Sequence, residues 1–390
     1  MKQALIVASV ASMIDQFNMP NIRLLKDMGY EVSVAANFQN GSTCSNEKIE
    51  KLKENLKELD VNFYQIDFSR NVLNFIGNLK AFNQLKRVAK SIKFDLVHCH
   101  SPIGGLITRF VFNKYRKSGT KVIYTAHGFH FFKGASLKNW LIFYPIEKIC
   151  SYLTDVLITI NTEDYALAQK KMKAKQICYI HGIGIDLKKF HSYSEEEILT
   201  KRAELNLSDN EIMILSVGEL SERKNHKIVI EALSKIKNFN FKYFIVGKGK
   251  LKSYLEQIIS DYNLSDRVRL LDFRTDVSEL CSAADFFIFP SLQEGLPVAL
   301  MEAIACKTVV LCSNIRGNTD LIKAKKYLFN PSNSDDLSSA LLEFLEGKTR
   351  EQFLNENKMQ TDTNYENLRK FDLEKVFTEN QILYNQIGGA

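Results

Sequence analysis

Short apolar runs alternate with helix-length segments along almost the whole chain, and no other feature restricts the fold as much. Candidate strands cover residues 3–9, 31–36, 62–67, 96–100, 122–125, 156–160 and 176–180, with helical patterns over 14–28, 76–92 and 140–152. A second series has strands at 211–217, 241–246, 268–271, 286–289 and 309–312, with helices at 226–236 and 251–262. Strands that alternate with helices assemble into parallel sheets covered on both faces. The polar, acidic stretch 192–210 divides the two series. This predicts an α/β chain of two doubly wound, Rossmann-like domains facing each other across a cleft. Their expected extents are 1–190 and 195–370. The last segment, 371–390, reads as an amphipathic helix with no packing partner legible in the sequence.

Composition narrows the class. Of 390 residues, 45% are apolar and 25% charged, as in globular proteins with sizeable cores. Only six prolines and eighteen glycines argue against long linkers. Seven widely spaced cysteines form neither a disulfide framework nor pairs at zinc-ligand spacing, which fits a reducing cytosol. The run 4–11 imitates a signal peptide, but a buried first strand explains it and is the preferred reading. No uncharged apolar stretch is long enough for a membrane span; the nearest, 296–315, carries Pro297, Glu302 and Lys307. Charge is uneven: residues 1–190 hold 27 Lys and Arg against 15 Asp and Glu, whereas the remainder holds 25 against 30. A basic first half predicts an anionic surface as its partner.

Ligands of open parallel sheets bind outside the carboxyl ends of the strands. The chemistry is therefore expected in the loops after Ser9, His98, Thr125, Val217, Phe289 and Cys312. The densest runs from Phe289 to Glu302 through Glu294, Gly295, Leu296, Pro297 and Val298. Gly295 allows close backbone approach to a ligand, and Pro297 suits the first position of a following helix. The free N–H groups of that helix attract phosphate. Glu302 is placed to accept hydrogen bonds from ribose hydroxyls, and Glu294 to reach sugar hydroxyls. Either glutamate alone reads as an ordinary solvated residue; their joint setting favours ligand binding.

Glu294-Gly295-Leu296-Pro297 to Glu302, two glutamates separated by seven residues, resembles the signature of the retaining family 4 glycosyltransferases of the GT-B fold. The stretch from Gly218 through Glu219, Arg223 and Lys224 to His226 is similar to the first loop of that family's donor domain. Gly247-Lys248-Gly249 resembles its second glycine turn, and Phe273-Arg274-Thr275-Asp276-Val277 the loop near the nucleotide base. In the first half, the runs from Tyr124 through His127 to His130 and from His98 through His100 and Ser101 to Gly105 resemble those of bacterial capsule and exopolysaccharide enzymes.

The resemblance implies an acceptor-side first domain and a second domain that binds a nucleotide-sugar donor. It assigns the donor to Gly218, Arg223, Lys224, Arg274, Glu294, Gly295, Leu296, Pro297, Val298 and Glu302. Lys224, reinforced by Arg223, would neutralise the diphosphate and stabilise the leaving group. Two bare cations at a helix start are otherwise unfavourable. Glu294, His127 and Lys224 are the implied catalytic residues, with His127 contacting the donor sugar. Ser12, Asp15, His98 and Ser101 are the acceptor-side candidates. Ser12, Met13 and Asp15 replace a glycine pair common in the wider family; Asp15 either orients an acceptor hydroxyl or caps the following helix. His98 and His100 alternate at a strand end, so one is expected to face the cleft, while His130 and His181 read as structural.

No Asp-x-Asp occurs, so no metal site and no cofactor beyond the nucleotide-sugar substrate is expected. Gly247-x-Gly249 lacks the further glycine of a nicotinamide site. Phe129, Phe131, Phe132, Lys133, Lys138, Trp140, Phe143 and Tyr144 interleave aromatics with lysines, and Lys80, Lys86, Arg87, Lys90 and Lys93 lie on one basic helical segment. These predict a protein peripheral at the cytoplasmic face of an anionic membrane. No nucleic-acid-binding module is present, so nucleic acid is not an expected partner. The expected reaction moves a sugar with retention from a UDP-linked donor to a hydroxyl of a lipid-diphosphate-linked saccharide. Two alternatives stay open at this point: a nucleotide-sugar epimerase of the same fold, and a catalytically silent saccharide-binding subunit.

Overall fold

The computed structural model describes residues 1–40, 45–69, 71, 74–208, 210–236, 239–345 and 348–388. The chain divides into two compact units, one formed by Met1–Ile183 with the segment from Glu374 onward, the other by Gly184–Leu373.

The first unit holds seven parallel strands: β1 (Lys2–Val7), β2 (Tyr30–Ala36), β3 (Asn62–Gln65), β4 (Leu96–His100), β5 (Lys121–Ala126), β6 (Val156–Thr159) and β7 (Gln176–Tyr179). Their order is β3-β2-β1-β4-β5-β6-β7. Alternate residues of β1 feed two separate cores: Ala4 and Ile6 on one face, Leu5 and Val7 on the other. Each large apolar side chain buried in this way contributes about 1.5–3 kcal/mol. The helical pattern over 14–28 is two helices, Ala11–Phe17 and Met19–Asp27, joined at the buried Asn18, with Pro20 in the first turn of the second. A proline in the first turn removes no helical hydrogen bond, whereas inside one long helix it would remove one.

The second unit holds β8 (Ile212–Val217), β9 (Phe241–Val246), β10 (Val268–Leu270), β11 (Phe286–Phe289), β12 (Val309–Ser313) and β13 (Leu328–Phe329), in the order β10-β9-β8-β11-β12-β13. The polar stretch 192–210 is not a bare connection. It carries helix Glu195–Glu204, started by a capping box in which Ser194 and Glu197 satisfy each other's backbone N–H groups. Helix Leu373–Gly388 packs on the first unit, where Val376, Leu383, Tyr384 and Ile387 join the core behind β1 and β2.

Strand order reverses between β1 and β4 in the first sheet, and between β8 and β11 in the second. Such reversals open a crevice at the carboxyl edge of the sheet. The loops after β1 and β4, and those after β8 and β11, are the ones that carry most of the candidate residues.

Candidate active site

In the second unit, β8 ends at Val217 and the chain turns through Gly218. Gly247 closes on it from the end of β9, with φ +151° and no room for a side chain: a Cβ there would sit 1.9 Å from the Gly218 carbonyl oxygen. A 3₁₀ turn, Glu222–Lys224, follows, stopped by Asn225 in the left-handed region at φ 55°. The Asn225 amide donates to the carbonyls of Pro290 and Pro331, tying this turn to the loop after β11.

That tie brings three charges together. Lys224 Nζ lies 2.7 Å and Arg223 Nη1 2.8 Å from the same oxygen, Oε1 of Glu294. Lys224 also sits 4.7 Å from the centre of the Phe289 ring, and its methylenes pack on Gly218. Burial pushes the Lys224 ammonium below its usual pKa, with Glu294 opposing. The two cations share one carboxylate, with Glu219 acting more weakly on Lys224, so an anion of higher charge can take that carboxylate's place.

The loop carrying Glu294 is braced from β12. Arg316 donates through Nε to the Glu294 carbonyl at 3.1 Å, and Gly317, at φ +78°, passes so close to Gly295 that a Cβ would fall 2.5 Å from its carbonyl oxygen. Pro297 stands one position earlier than the sequence pattern predicts. It caps helix Val298–Ala305 rather than occupying its first turn, because its ψ of 105° is extended. Leu296 packs against the core beside Val298. Glu302 lies on this helix, and burial raises its carboxyl to about 7, with Lys189 pulling the other way. Arg274 is engaged elsewhere: its Nε reaches Asp276 at 2.7 Å and its Nη2 reaches Glu204 at 2.8 Å. Among the described residues no ion pair joins it to the Lys224–Glu294 cluster.

In the first unit, Ser12 and Ser101 line one cavity of about 500 Å³ with Met13, Phe17, Ile103 and Phe143. Ser101 holds φ 64°, a strained value for serine worth about 1–3 kcal/mol. It is pinned there by Ser9, whose Oγ lies 2.6 Å from Ser101 Oγ and whose N–H donates to it. Asp15 lies inside helix Ala11–Phe17 and caps no helix: Val10 and Asn18 hold the two cap positions. His98, expected on the acceptor side, is engaged within the core. Both its ring nitrogens are used inside the core, Nδ1 by Tyr384 Oη at 2.7 Å and Nε2 by Thr125 Oγ1 at 2.8 Å, so neither is left for an acceptor. A central strand is covered on both faces, so alternation along β4 sends His98 and His100 to buried positions alike. His127 follows β5, packs on Phe17 of the cavity wall, and is held neutral by burial, its pKa lowered to about 4.

The predicted aromatic belt is largely core. Phe129 and Phe131 are buried and stacked, and Trp140, Phe143 and Tyr144 pack on the same cluster, because the segment after β5 folds back over the sheet. Exposed apolar side chains include instead Phe75, Ile76 and Leu79 at the start of helix Phe75–Ser91, and Leu137 and Leu141 at the start of helix Leu137–Ser151. Arg316, Asn225 and His100 are the residues that sequence reasoning passed over or left unassigned. An Arg-Gly pair after a strand was the only signal for the first.

Residues 197–361 match the family model described as Glycosyl transferases group 1, and residues 7–161 the one described as Glycosyl transferase 4-like. The chain is similar to EpsD of Bacillus subtilis (strain 168), 33% identical over 83% of this chain and 81% of that one. It is 30% identical to the UDP-Gal:alpha-D-GlcNAc-diphosphoundecaprenol alpha-1,3-galactosyltransferase of Escherichia coli, over 73% and 75%. A Campylobacter jejuni N,N'-diacetylbacillosaminyl-diphospho-undecaprenol alpha-1,3-N-acetylgalactosaminyltransferase is 26% identical over 90% and 92%. Among solved structures, sucrose-phosphate synthase from Thermosynechococcus elongatus matches with a TM-score of 0.77, and Anabaena HepE in complex with UDP with 0.73, at 19% and 18% identity and full coverage of both chains in each case. These likenesses show the fold, GT-B. Matched by two glycosyltransferase models and by relatives over most of its length, this chain belongs to the group 1, family 4-like glycosyltransferases.

Proposed function

We propose that the protein transfers a hexosyl or N-acetylhexosaminyl group from a UDP-sugar, with retention, to a hydroxyl of a lipid-diphosphate-linked saccharide in exopolysaccharide or capsule synthesis. The observation that carries this reading is the convergence of Lys224 and Arg223 on one oxygen of Glu294. A donor diphosphate takes over the two cations, and Glu294 is then released to accept hydrogen bonds from the sugar. As the bond from the anomeric carbon to the phosphate oxygen breaks, Lys224 and Arg223 meet the charge that develops on the leaving group. The incoming hydroxyl bonds to the same face of the sugar and passes its proton to the leaving phosphate, so no protein nucleophile and no metal ion is needed. Glu302 holds the ribose, His127 meets a sugar, and the cavity beside Ser12 and Ser101 takes the acceptor. The acceptor class is supported by the Escherichia coli and Campylobacter jejuni relatives, named for diphospho-undecaprenol substrates, and the donor class by HepE, solved with UDP.

Incubation with a panel of UDP-sugars and a polyprenyl-diphosphate saccharide tests the reading. The expected product is the acceptor heavier by one sugar. Isomerised donor without acceptor would instead indicate an epimerase, and no product across the panel would contradict transfer.

Glu302 gives this reading a pH dependence. Burial raises its pKa from 4.5 to about 7. The unliganded unit is therefore favoured with Glu302 protonated, and this contribution is lost as the pH rises through about 7. Ribose hydroxyls need the carboxylate as acceptor, so nucleotide affinity runs the other way. UDP should bind roughly tenfold more weakly at pH 6 than at pH 8, and Glu302→Gln should flatten that difference in calorimetric titrations.

No described helix is long and apolar enough to cross a membrane. In this reading the protein docks peripherally through Phe75, Ile76, Leu79, Leu137 and Leu141, with Lys86, Arg87 and Lys90 farther along the helix that carries the first group. Both apolar turns begin helices on the same sheet face, at the edge where the cavity opens. Co-sedimentation with anionic vesicles should fall severalfold in Ile76→Asp/Leu141→Asp and at high salt. Equal binding to neutral vesicles at both salt concentrations would remove the electrostatic part.

A further inference from the structure

Three imidazoles follow one another, tilted, along the edge of the first sheet. The ring centres of His98 and His100 are 4.2 Å apart and those of His100 and His127 5.3 Å. His100 Nδ1 lies 3.1 Å from His127 Nε2, a hydrogen-bond distance. The other nitrogen of His100, Nε2, is buried with no hydrogen-bond partner. Among the described residues no hydrogen bond reaches His127 Nδ1.

Burial holds both rings neutral, so each has one N–H and one lone pair. Two arrangements are then open. If His127 Nε2–H donates, the proton of His100 must sit on its buried Nε2, leaving an N–H with nothing to bond. If His100 Nδ1–H donates, the buried Nε2 of His100 is only an unused lone pair. Orphaned buried N–H groups are rare, while under-used acceptors are tolerated more often.

We infer that His100 donates to His127 and so fixes it as the Nδ1–H tautomer, leaving His127 to offer substrate a hydrogen-bond donor rather than a base. This rests on the reading that His127 meets a sugar. His100 is then a positioning residue. Its neighbour His98, locked between Tyr384 and Thr125, backs the His100 ring. A donor fixed in advance suits an oxygen on the sugar or on the leaving group, and it cannot take the proton of the incoming hydroxyl.

The test is a long-range proton–nitrogen NMR correlation on the full chain labelled with ¹⁵N-histidine, at neutral pH, with His127 identified by its loss in His127→Asn. The expected result is a pyrrole-type Nδ1 and a pyridine-type Nε2 for His127, shifting toward the opposite tautomer in His100→Phe. A wild-type spectrum with the proton on Nε2, or with His127 charged, overturns the inference and needs no variant that folds. Transfer rates supply a second readout. The amide of His127→Asn replaces the Nδ1–H donor and should keep activity to within about tenfold, whereas His127→Asp and His127→Ala should lose roughly a hundredfold. Equal losses in Asn and Asp would count against donation. Full activity of His127→Ala beside an Nδ1–H spectrum would instead remove the functional reading of His127 and leave the tautomer standing.

Discussion

Replacing Lys224 by alanine should lower kcat/KM by roughly 10²–10³, most of it in kcat. The ammonium is nearly buried and lies 2.7 Å from Glu294, and the other cation on that carboxylate, Arg223, has a side chain 45% exposed. A cation already desolvated in the resting enzyme meets the developing charge of the leaving group without a further reorganisation cost. Arg223→Ala should cost less, about tenfold, because solvent screens an exposed charge. Glu294→Gln separates binding from chemistry. It frees the two cations from their anion, so UDP should bind more tightly, while transfer slows because the carboxylate that holds the sugar is gone. Steady-state kinetics with UDP as inhibitor read both effects in one experiment.

The largest effect on stability is expected from Glu147→Ala. Arg109 is 1% exposed and lies beneath the site-bearing edge of the first sheet. It makes a two-pronged pair with Glu147 at 2.8 and 3.1 Å, donates to the Gly105 carbonyl, and stacks 3.9 Å from the centre of the Tyr124 ring. Removing the carboxylate strands a guanidinium out of water, a loss of about 3–5 kcal/mol. Thermal unfolding of the variant should shift downward by roughly 10 °C. Arg109→Met/Glu147→Leu should recover most of that loss, since packed apolar groups of similar volume replace buried ion pairs at little net cost. An unchanged melting temperature in Glu147→Ala would show that the pair carries no such load.

The sheets were legible because a strand covered on both faces must be apolar along its whole length, and among the described residues every strand but β13 overlaps a segment read as a strand from the sequence. The two-residue β13 is too short to leave a pattern. Helix Arg350–Leu368 hid in a charged stretch because its buried residues are mixed, among them Phe353, Asn357, Thr361 and Asn364, so no apolar stripe marks it. At the site, chain order alone placed Glu294, Gly295 and Pro297 together, and it gave the Lys224 turn a reason to face an anion. It did not show that both cations rest on Glu294, because that depends on Asn225 bridging loops about 65 residues apart in the chain. Surface aromatics were misjudged for a related reason. A Phe-rich segment following a strand has the same composition whether it folds over the sheet, as Phe129 and Phe131 do, or faces outward, as Phe75 does. His98 failed as an acceptor ligand because its partner Tyr384 lies at the far end of the chain, on a helix whose packing the sequence left open.

The direct test of the account is a calorimetric titration of UDP and of uridine into the wild-type protein and into Lys224→Ala, at low and at moderate salt. The wild type should bind UDP at least roughly tenfold more tightly than uridine, the gap should narrow with salt, and it should largely vanish in Lys224→Ala. Uridine binding as tightly as UDP, or a Lys224→Ala protein that keeps the full preference for the diphosphate, would contradict it.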